Sequence, residues 1–260
     1  MPTIPYLVTC GIVLRETETK ETDKILTLLT PEHGKIAVIA RGARRKNCRF
    51  AAAAQALAYS EWTLYRKGDW YYANEGETRE LFAGLRRDLT RLSLGFYLAE
   101  LTEAVTLEEV PADELLRHLL NGLYALDQLR KPESLVKAAF EFRLLCLSGY
   151  EPLADACAVC GKEQPEEPVL DAVQGVVRCC GCGSSAGQVF SLCPDSLAAL
   201  RHIVYGDPKR LYSFTLNADA MRRFSRAAEG YAAVQLDRGF RTLDFYRSLL
   251  PETSSKLEKI

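Results

Sequence analysis

The sequence contains no uninterrupted apolar run near the ~18 residues that a membrane-spanning helix needs, and its longest apolar stretches are short and broken by polar residues. Nothing basic precedes the first apolar segment. Met1-Pro2-Thr3-Ile4-Pro5-Tyr6 lacks the charged start and cleavage pattern of an export signal, so none is expected. Histidine is scarce: His33, His118 and His202 are isolated from any obvious nucleophile, which leaves no acid–base pair to read. There is no phosphate-binding loop, no GxGxxG after a strand and no GxSxG elbow. The acidic pairs Glu108-Glu109 and Glu166-Glu167 read as solvated ends. The expectation is that the chain is not an enzyme. Nor is there an excess of charge of either sign. With 33 Lys and Arg against 34 Asp and Glu, the net charge is −1, which taken alone speaks against a basic nucleic-acid binder.

What is present begins with an ordinary globular composition, 48% hydrophobic and 26% charged over 260 residues, enough for two modest domains. Nine cysteines stand out: Cys10, Cys48, Cys146, Cys157, Cys160, Cys179, Cys180, Cys182 and Cys193. An odd number without an export signal suggests a reducing, cytosolic setting and not a disulfide framework. Six of the nine fall between positions 157 and 193, and clustering in such a setting points to metal.

The near-zero charge dissolves when taken by segment. Residues 1–80, 81–156, 157–187 and 188–260 carry +2, −4, −2 and +3. Within the first segment, the stretch from His33 to Ser60 holds Lys35, Arg41, Arg44, Arg45, Lys46 and Arg49 and no acidic residue.

The first 80 residues read as strands over Tyr6–Leu14, Lys24–Thr30, Lys35–Ala40, Leu57–Tyr65 and Trp70–Tyr72, with a turn at Pro31-Glu32-His33-Gly34. Five short strands with turns between them suggest a small closed barrel. The pattern then becomes helical. Leu85, Leu89, Leu92, Phe96 and Ala99 share one face at helical spacing. A second helix is expected from about Pro111 towards Leu129. A third follows Pro132, with Leu135, Ala138, Ala139, Phe142, Leu145 and Cys146 on one face. Pro194-Asp195-Ser196 opens another, and Ala218–Leu249 reads as mostly helical, with Gly230 and Gly239 as candidate interruptions.

Cys157-x-x-Cys160 and Cys179-x-x-Cys182 are separated by 18 residues, the spacing of a four-cysteine zinc site. Zinc takes four soft ligands in a tetrahedron, and each Cys-x-x-Cys turn supplies two from one knuckle. Gly161 and Gly183, just after each pair, let the turns close. Four thiolates leave no position for water, so one structural Zn2+ is expected. Cys180 is an alternative third ligand, although Cys179 restores the two-residue spacing; Cys193 reads as a buried or capping residue. A redox Cys-x-x-Cys is disfavoured because no βαβ pattern accompanies it.

Arg41-Gly-Ala-Arg44-Arg45-Lys46-Asn-Cys-Arg49 places five cations within nine residues directly after an expected strand. Such a loop is suited to phosphate, held through charge and without base preference. Of the nearby aromatics Tyr59, Trp62, Tyr65, Trp70, Tyr71 and Tyr72, about half are expected in the barrel core, and the others are available to stack on bases. Arg86, Arg87 and Arg91, and Arg222, Arg223 and Arg226, are weaker candidates on helices.

Gly11-Ile-Val-Leu-Arg15, Thr30-Pro-Glu-His-Gly-Lys35, Ala40-Arg-Gly-Ala-Arg-Arg, Tyr97-Leu-Ala-Glu-Leu101 and the two cysteine pairs occur in an order that resembles the bacterial RecO family of recombination mediators in DNA repair. The resemblance extends over nearly the whole chain. It implies an α+β architecture: an N-terminal five-stranded OB-fold, a nucleic-acid-binding domain over residues 1–80, then an all-helical domain over 81–260. A four-cysteine zinc knuckle is inserted in the latter at about 155–187. It implies DNA binding through Arg41, Arg44, Arg45 and Lys46, with Lys35 and Arg49 of the same stretch, and zinc ligation by Cys157, Cys160, Cys179 and Cys182. It further implies binding to single- and double-stranded DNA, annealing of complementary strands, and loading of RecA with RecR onto strands coated by single-stranded-DNA-binding protein (SSB). The SSB C-terminal tail would be a partner, RecA an indirect one, and the location cytoplasmic and nucleoid-associated, with no membrane. The competing readings are a zinc-bearing nucleic-acid adaptor of another pathway and a non-enzymatic assembly protein with an incidental basic loop.

Overall fold

The computed structural model describes residues 6–129, 131–183 and 187–251. Five strands open the chain: β1 (Tyr6–Thr19), β2 (Asp23–Thr30), β3 (Gly34–Ala40), β4 (Tyr59–Lys67) and β5 (Trp70–Glu80). They close into a barrel in the order β1-β2-β3-β5-β4, the arrangement of an OB-fold. All pairings are antiparallel except β3 with β5, which run parallel through Val38↔Tyr71 and Ile39↔Tyr72. Alternation along the strands sends Leu26, Leu28, Ile36, Val38, Trp62, Leu64 and Tyr71 into one core.

Two strands run further than their apolar residues suggest. β1 continues through the exposed Arg15-Glu-Thr-Glu to Thr19 because each residue still pairs with β2, past an irregularity between Val13 and Arg15. β5 continues through polar residues to Glu80 because β4 supplies its backbone partners. Hydrophobic pattern marks the buried part of a strand, and backbone pairing carries it beyond that point.

The residues between β3 and β4 form a chain of tight turns that packs Ala43, Phe50, Ala53 and Ala54 into the barrel core. The edge of the Phe50 ring meets Trp62 at 6.2 Å. This segment is a plug, held from within by apolar contacts.

Helices α1 (Leu89–Val105), α2 (Asp113–Asp127) and α6 (Arg241–Leu249) group with the barrel in one compact unit. Asp88 caps α1, its side chain accepting from Thr90 N at 2.9 Å and Arg91 N at 3.1 Å. The face expected for α1 is only partly buried: Leu89 is 58% exposed, whereas Leu94, Tyr97, Leu98 and Leu101 are enclosed. α1 packs against α2, α6 and β1 at once, so it buries more than a single stripe.

The second unit, residues 129–239, contains α3 (Glu133–Leu147), α4 (Pro194–Tyr205), α5 (Ala218–Leu236) and three short strands, β6 (Pro168–Asp171), β7 (Val176–Cys179) and β8 (Val189–Ser191). This small sheet, ordered β7-β6-β8, was not legible in the sequence. Its Leu170 and Val177 share a core with Phe142 of α3, Leu200 of α4, and Phe224 and Tyr231 of α5. Gly230 does not interrupt α5; the Phe190 ring lies against it, and a Cβ there would fall 2.0 Å from that ring. The helix ends instead at Asp237, whose φ of 47° is left-handed. Lys137 of α3 is buried between Glu141 at 2.8 Å and Glu229 of α5 at 2.7 Å. No described helix is long and apolar enough to cross a membrane.

Candidate nucleic-acid interface and metal centre

The plug after β3 turns its apolar residues inward and its cations outward. Arg41, Arg44, Arg45, Lys46 and Arg49 are all exposed, while Ala43 and Phe50 between and beside them are buried. The turns are anchored by the hairpin that joins β1 and β2. Asp23 Oδ1 accepts from Gly42 N at 2.8 Å, and Arg44 N donates to Thr22 O at 3.0 Å. That backbone hydrogen bond to Gly42 is the main cause holding the Asp23 carboxyl below its ordinary value. The cations are therefore presented on an ordered scaffold and not on a loose loop.

The register that brings the hairpin close also brings acids that the linear sequence keeps apart. Arg44 pairs with Glu18 at 3.1 Å and donates to Glu21 O at 3.3 Å. The acid-free stretch from His33 to Ser60 is thus not acid-free in space. Lys35 is not brought to the cluster. It begins β3, at the end away from Arg41, and its Nζ donates to Glu103 O at 3.2 Å. Four of the six helical arginines are similarly occupied. Arg86 donates to Leu81 O and Ala56 O, Arg91 pairs with Asp88, and Arg222 and Arg223 pair with Asp219.

The aromatics divide between the two barrel faces. Trp62 and Tyr71 point inward. On the outside, register aligns Tyr6 of β1 with Tyr65 of β4 and Tyr65 with Tyr72 of β5. The Tyr65 and Tyr72 rings stack at 5.2 Å with 14° between their planes, and Tyr6 meets Tyr65 edge-on at 6.4 Å. Arg41 extends this row from the plug, its guanidinium 4.8 Å from the Tyr72 ring centre. Tyr6 lies outside the aromatic cluster visible in the sequence; only the β1–β4 register could have joined it.

In the second unit the four expected cysteines converge. The sulfurs of Cys157, Cys160, Cys179 and Cys182 all lie within 4.8 Å of one another. Cys160 Sγ and Cys179 Sγ are 3.8 Å apart, matching the edge of about 3.8 Å that follows from four Zn–S bonds of ~2.3 Å. The donor set and its spacing fit a tetrahedral metal. Cys180 is exposed and outside this group. The glycines after the pairs have φ of 74° at Gly161 and 83° at Gly183, which lets each knuckle turn back.

The knuckles are held by backbone and by a clamp absent from the sequence motif. Cys179 ends β7, and its N donates to Cys157 Sγ at 3.3 Å. Arg201 of α4 donates to Ala154 O, Asp155 O and Glu163 O at 2.6–2.8 Å, fastening the first knuckle to the helical core. Burial opposes ionisation of Cys157, yet backbone N–H groups of Cys160, Cys179 and Val159 bring its thiol down to about 6. Cys182 is pushed up to about 12, chiefly by its hydrogen bond with Cys160 and then by burial. Cys157 is drawn towards its thiolate while Cys179 and Cys182 are held against ionisation, a conflict that a divalent cation relieves. Cys193 lies apart as the N-cap of α4, its N donating to Ser196 Oγ at 2.7 Å.

Residues 6–82 match the family described as Recombination protein O N terminal, and residues 86–244 match Recombination protein O C terminal. The chain is 31% identical over 244 residues to the DNA repair protein RecO of Acetivibrio thermocellus, covering 94% of this chain and 97% of that protein. It is 34% identical over 231 residues to the protein of that name from Anaeromyxobacter dehalogenans, covering 88% and 91%. The Symbiobacterium thermophilum protein of that name is 31% identical over 247 residues, covering 92% and 96%.

Proposed function

The chain belongs to the RecO family of DNA repair proteins, and we propose that within DNA repair and recombination it acts as a mediator. In this reading it binds single- and double-stranded DNA without sequence preference and anneals complementary strands. With RecR it helps load RecA onto SSB-coated strands, binding the SSB C-terminal tail as it does so. It does this in the bacterial cytoplasm, associated with the nucleoid. The observation that carries the proposal is the set of five exposed cations, Arg41, Arg44, Arg45, Lys46 and Arg49, on the ordered plug of a closed barrel.

Annealing makes and breaks no covalent bond, so the reading needs no catalytic group. Two phosphate backbones repel, and a protein that neutralises them while leaving base edges free lowers the barrier to pairing. A cluster fixed at Gly42 by Asp23 and at Arg44 by Thr22 suits that role, because charge presented on a rigid frame loses little freedom on binding. Arg44 can exchange Glu18 for phosphate at small cost, since an exposed ion pair contributes only about 0–1 kcal/mol. Lys35 would join only by releasing Glu103 O.

Cys157, Cys160, Cys179 and Cys182 would hold one structural Zn2+, which supplies a cross-link between the two knuckles and no reactive position. The chain's own residues do the rest of that work: β7 delivers Cys179, and Arg201 fastens the loop that carries Cys157.

The test is annealing of complementary strands coated with the cognate SSB. The expected result is faster duplex formation with the intact chain and loss of that acceleration in a triple R44A/R45A/K46A variant. Equal annealing by both proteins would refute the assignment to the plug.

A further inference from the structure

We infer that Arg178 is a positioning residue for the metal centre: it latches the second cysteine knuckle closed, as Arg201 fastens the first. This rests on the reading that the four cysteines hold Zn2+, and it adds the residue that fixes Cys182 in place.

Arg178 stands on β7 between Val177 and the ligand Cys179. Val177 lies in the helical core, so alternation along the strand turns Arg178 to the opposite face of the small sheet. A guanidinium on that face would ordinarily reach solvent, yet the Arg178 side chain is only 5% exposed. Its Nη1 donates to Cys182 O at 2.7 Å, the length of a charge-assisted bond. Its stem runs against the turn itself, since a Cβ placed on Gly183 would lie 3.7 Å from Arg178 Cδ and Nε. Asp171 of β6, the diagonal neighbour in the register, faces the same guanidinium at 3.9 Å. That carboxylate is fixed in turn, its Oδ1 accepting from Val173 N at 3.2 Å and Gln174 N at 3.1 Å.

The ligands differ in how they are anchored. Cys179 belongs to the β6–β7 ladder, opposite Pro168. The first knuckle closes on itself through Cys157 N to Lys162 O and Gly161 N to Cys157 O, and Arg201 ties it to α4. Cys182 lies beyond the end of β7, where its N donates to Cys179 O at 3.0 Å. The bond from Arg178 restrains the other side of the same residue and joins it to the strand that delivers Cys179.

Zinc needs its four sulfurs at the corners of one tetrahedron. A knuckle free to swing would have to be ordered at each binding event, and affinity would fall by that entropy. Zinc with four thiolates is moreover a net anion, and a buried guanidinium beside it has the matching sign. Groups that orient metal ligands from behind typically contribute about 10–100-fold in affinity.

The experiment uses the full chain loaded with zinc, a colorimetric chelator to compete for the metal, and Co2+ as a second probe whose visible absorption reports tetrahedral thiolate geometry. R178M should hold zinc about 10–100-fold more weakly than the wild type, with altered Co2+ bands. R178K, which returns a cation and a donor towards Cys182 O, should recover much of the loss. R222M, at an exposed arginine of α5 paired with Asp219, should match the wild type in both readouts. Circular dichroism of the metal-free proteins checks that the helices are retained, and where R178M fails that check R178Q takes its place. Wild-type zinc affinity in the folded variant overturns the proposal. So does a loss that R178K leaves untouched, which would make Arg178 a packing residue of the sheet. Zinc missing from the wild type instead removes the four-cysteine site itself, and the latch with it.

Discussion

Removing three of the five plug cations should change how DNA affinity responds to salt, by an amount set by the structure. Each phosphate contact to a single strand contributes about −0.7 to the slope of log K against log salt concentration. Five contacts from Arg41, Arg44, Arg45, Lys46 and Arg49 give a slope of about −3.5, and a sixth from Lys35 would raise it to about −4. Between 50 and 200 mM salt the five-contact slope weakens binding by about 130-fold. R44A/R45A/K46A leaves two contacts, a slope of about −1.4 and a loss of only about sevenfold over the same range. K35A should leave the slope at the five-contact value, because Lys35 Nζ is engaged by Glu103 O at the other end of β3. Fluorescence anisotropy of a labelled oligo(dT) titrated at several potassium chloride concentrations measures all three proteins. A wild-type slope near zero, or the same slope in the triple variant, would refute phosphate binding by the plug.

Metal analysis of the purified, reduced protein should give about one zinc per chain. C157S/C160S should abolish it and release the knuckles to proteolysis, whereas C180S should leave zinc bound, since Cys180 lies outside the sulfur cluster. At the α3–α5 contact, K137A removes the buried cation that Glu141 and Glu229 share and should cost about 3–5 kcal/mol in urea denaturation. Burial alone would lower the Lys137 pKa, but the two glutamates outweigh it and raise the folded value above the ordinary lysine value of 10.5. The stabilisation is therefore complete below that ordinary value and disappears as pH rises through the higher folded one; unfolding midpoints of wild type and K137A should converge in strong alkali.

The sequence made the closed barrel, the order of the helices and the four-cysteine group legible, each for a local reason. Barrel strands announce themselves where alternate residues are buried, as in Ile36-Ala-Val-Ile-Ala40, and the cysteine pairs are self-contained turns. The exposed arms of β1 and β5 were not legible because their order comes from partners and not from their own residues. β6–β8 are three or four residues each, too short for periodicity to register. Gly230 looks like a helix breaker until Phe190 fills the space beside it. In the candidate site, the cations were visible as a run, but their anchoring by Asp23, the approach of Glu18 and the separation of Lys35 follow from strand register. So does the tyrosine row, which brings the distant Tyr6 beside Tyr65 and Tyr72.

Helix α6 returns to the barrel's unit after the entire second unit has been threaded through. Phe240 meets Tyr97 of α1 edge-on at 5.7 Å, and Thr242 N donates to Glu100 at 3.1 Å. On a ribosome, α1 therefore emerges long before the helix that covers it. At ~5–20 residues per second the wait is roughly 7–30 s. During that interval the aromatic side of α1 faces water or a chaperone, while the intervening unit has time to fold by itself. The order of synthesis thus favours a sequence in which the cysteine-bearing unit matures first and the barrel's unit is sealed last.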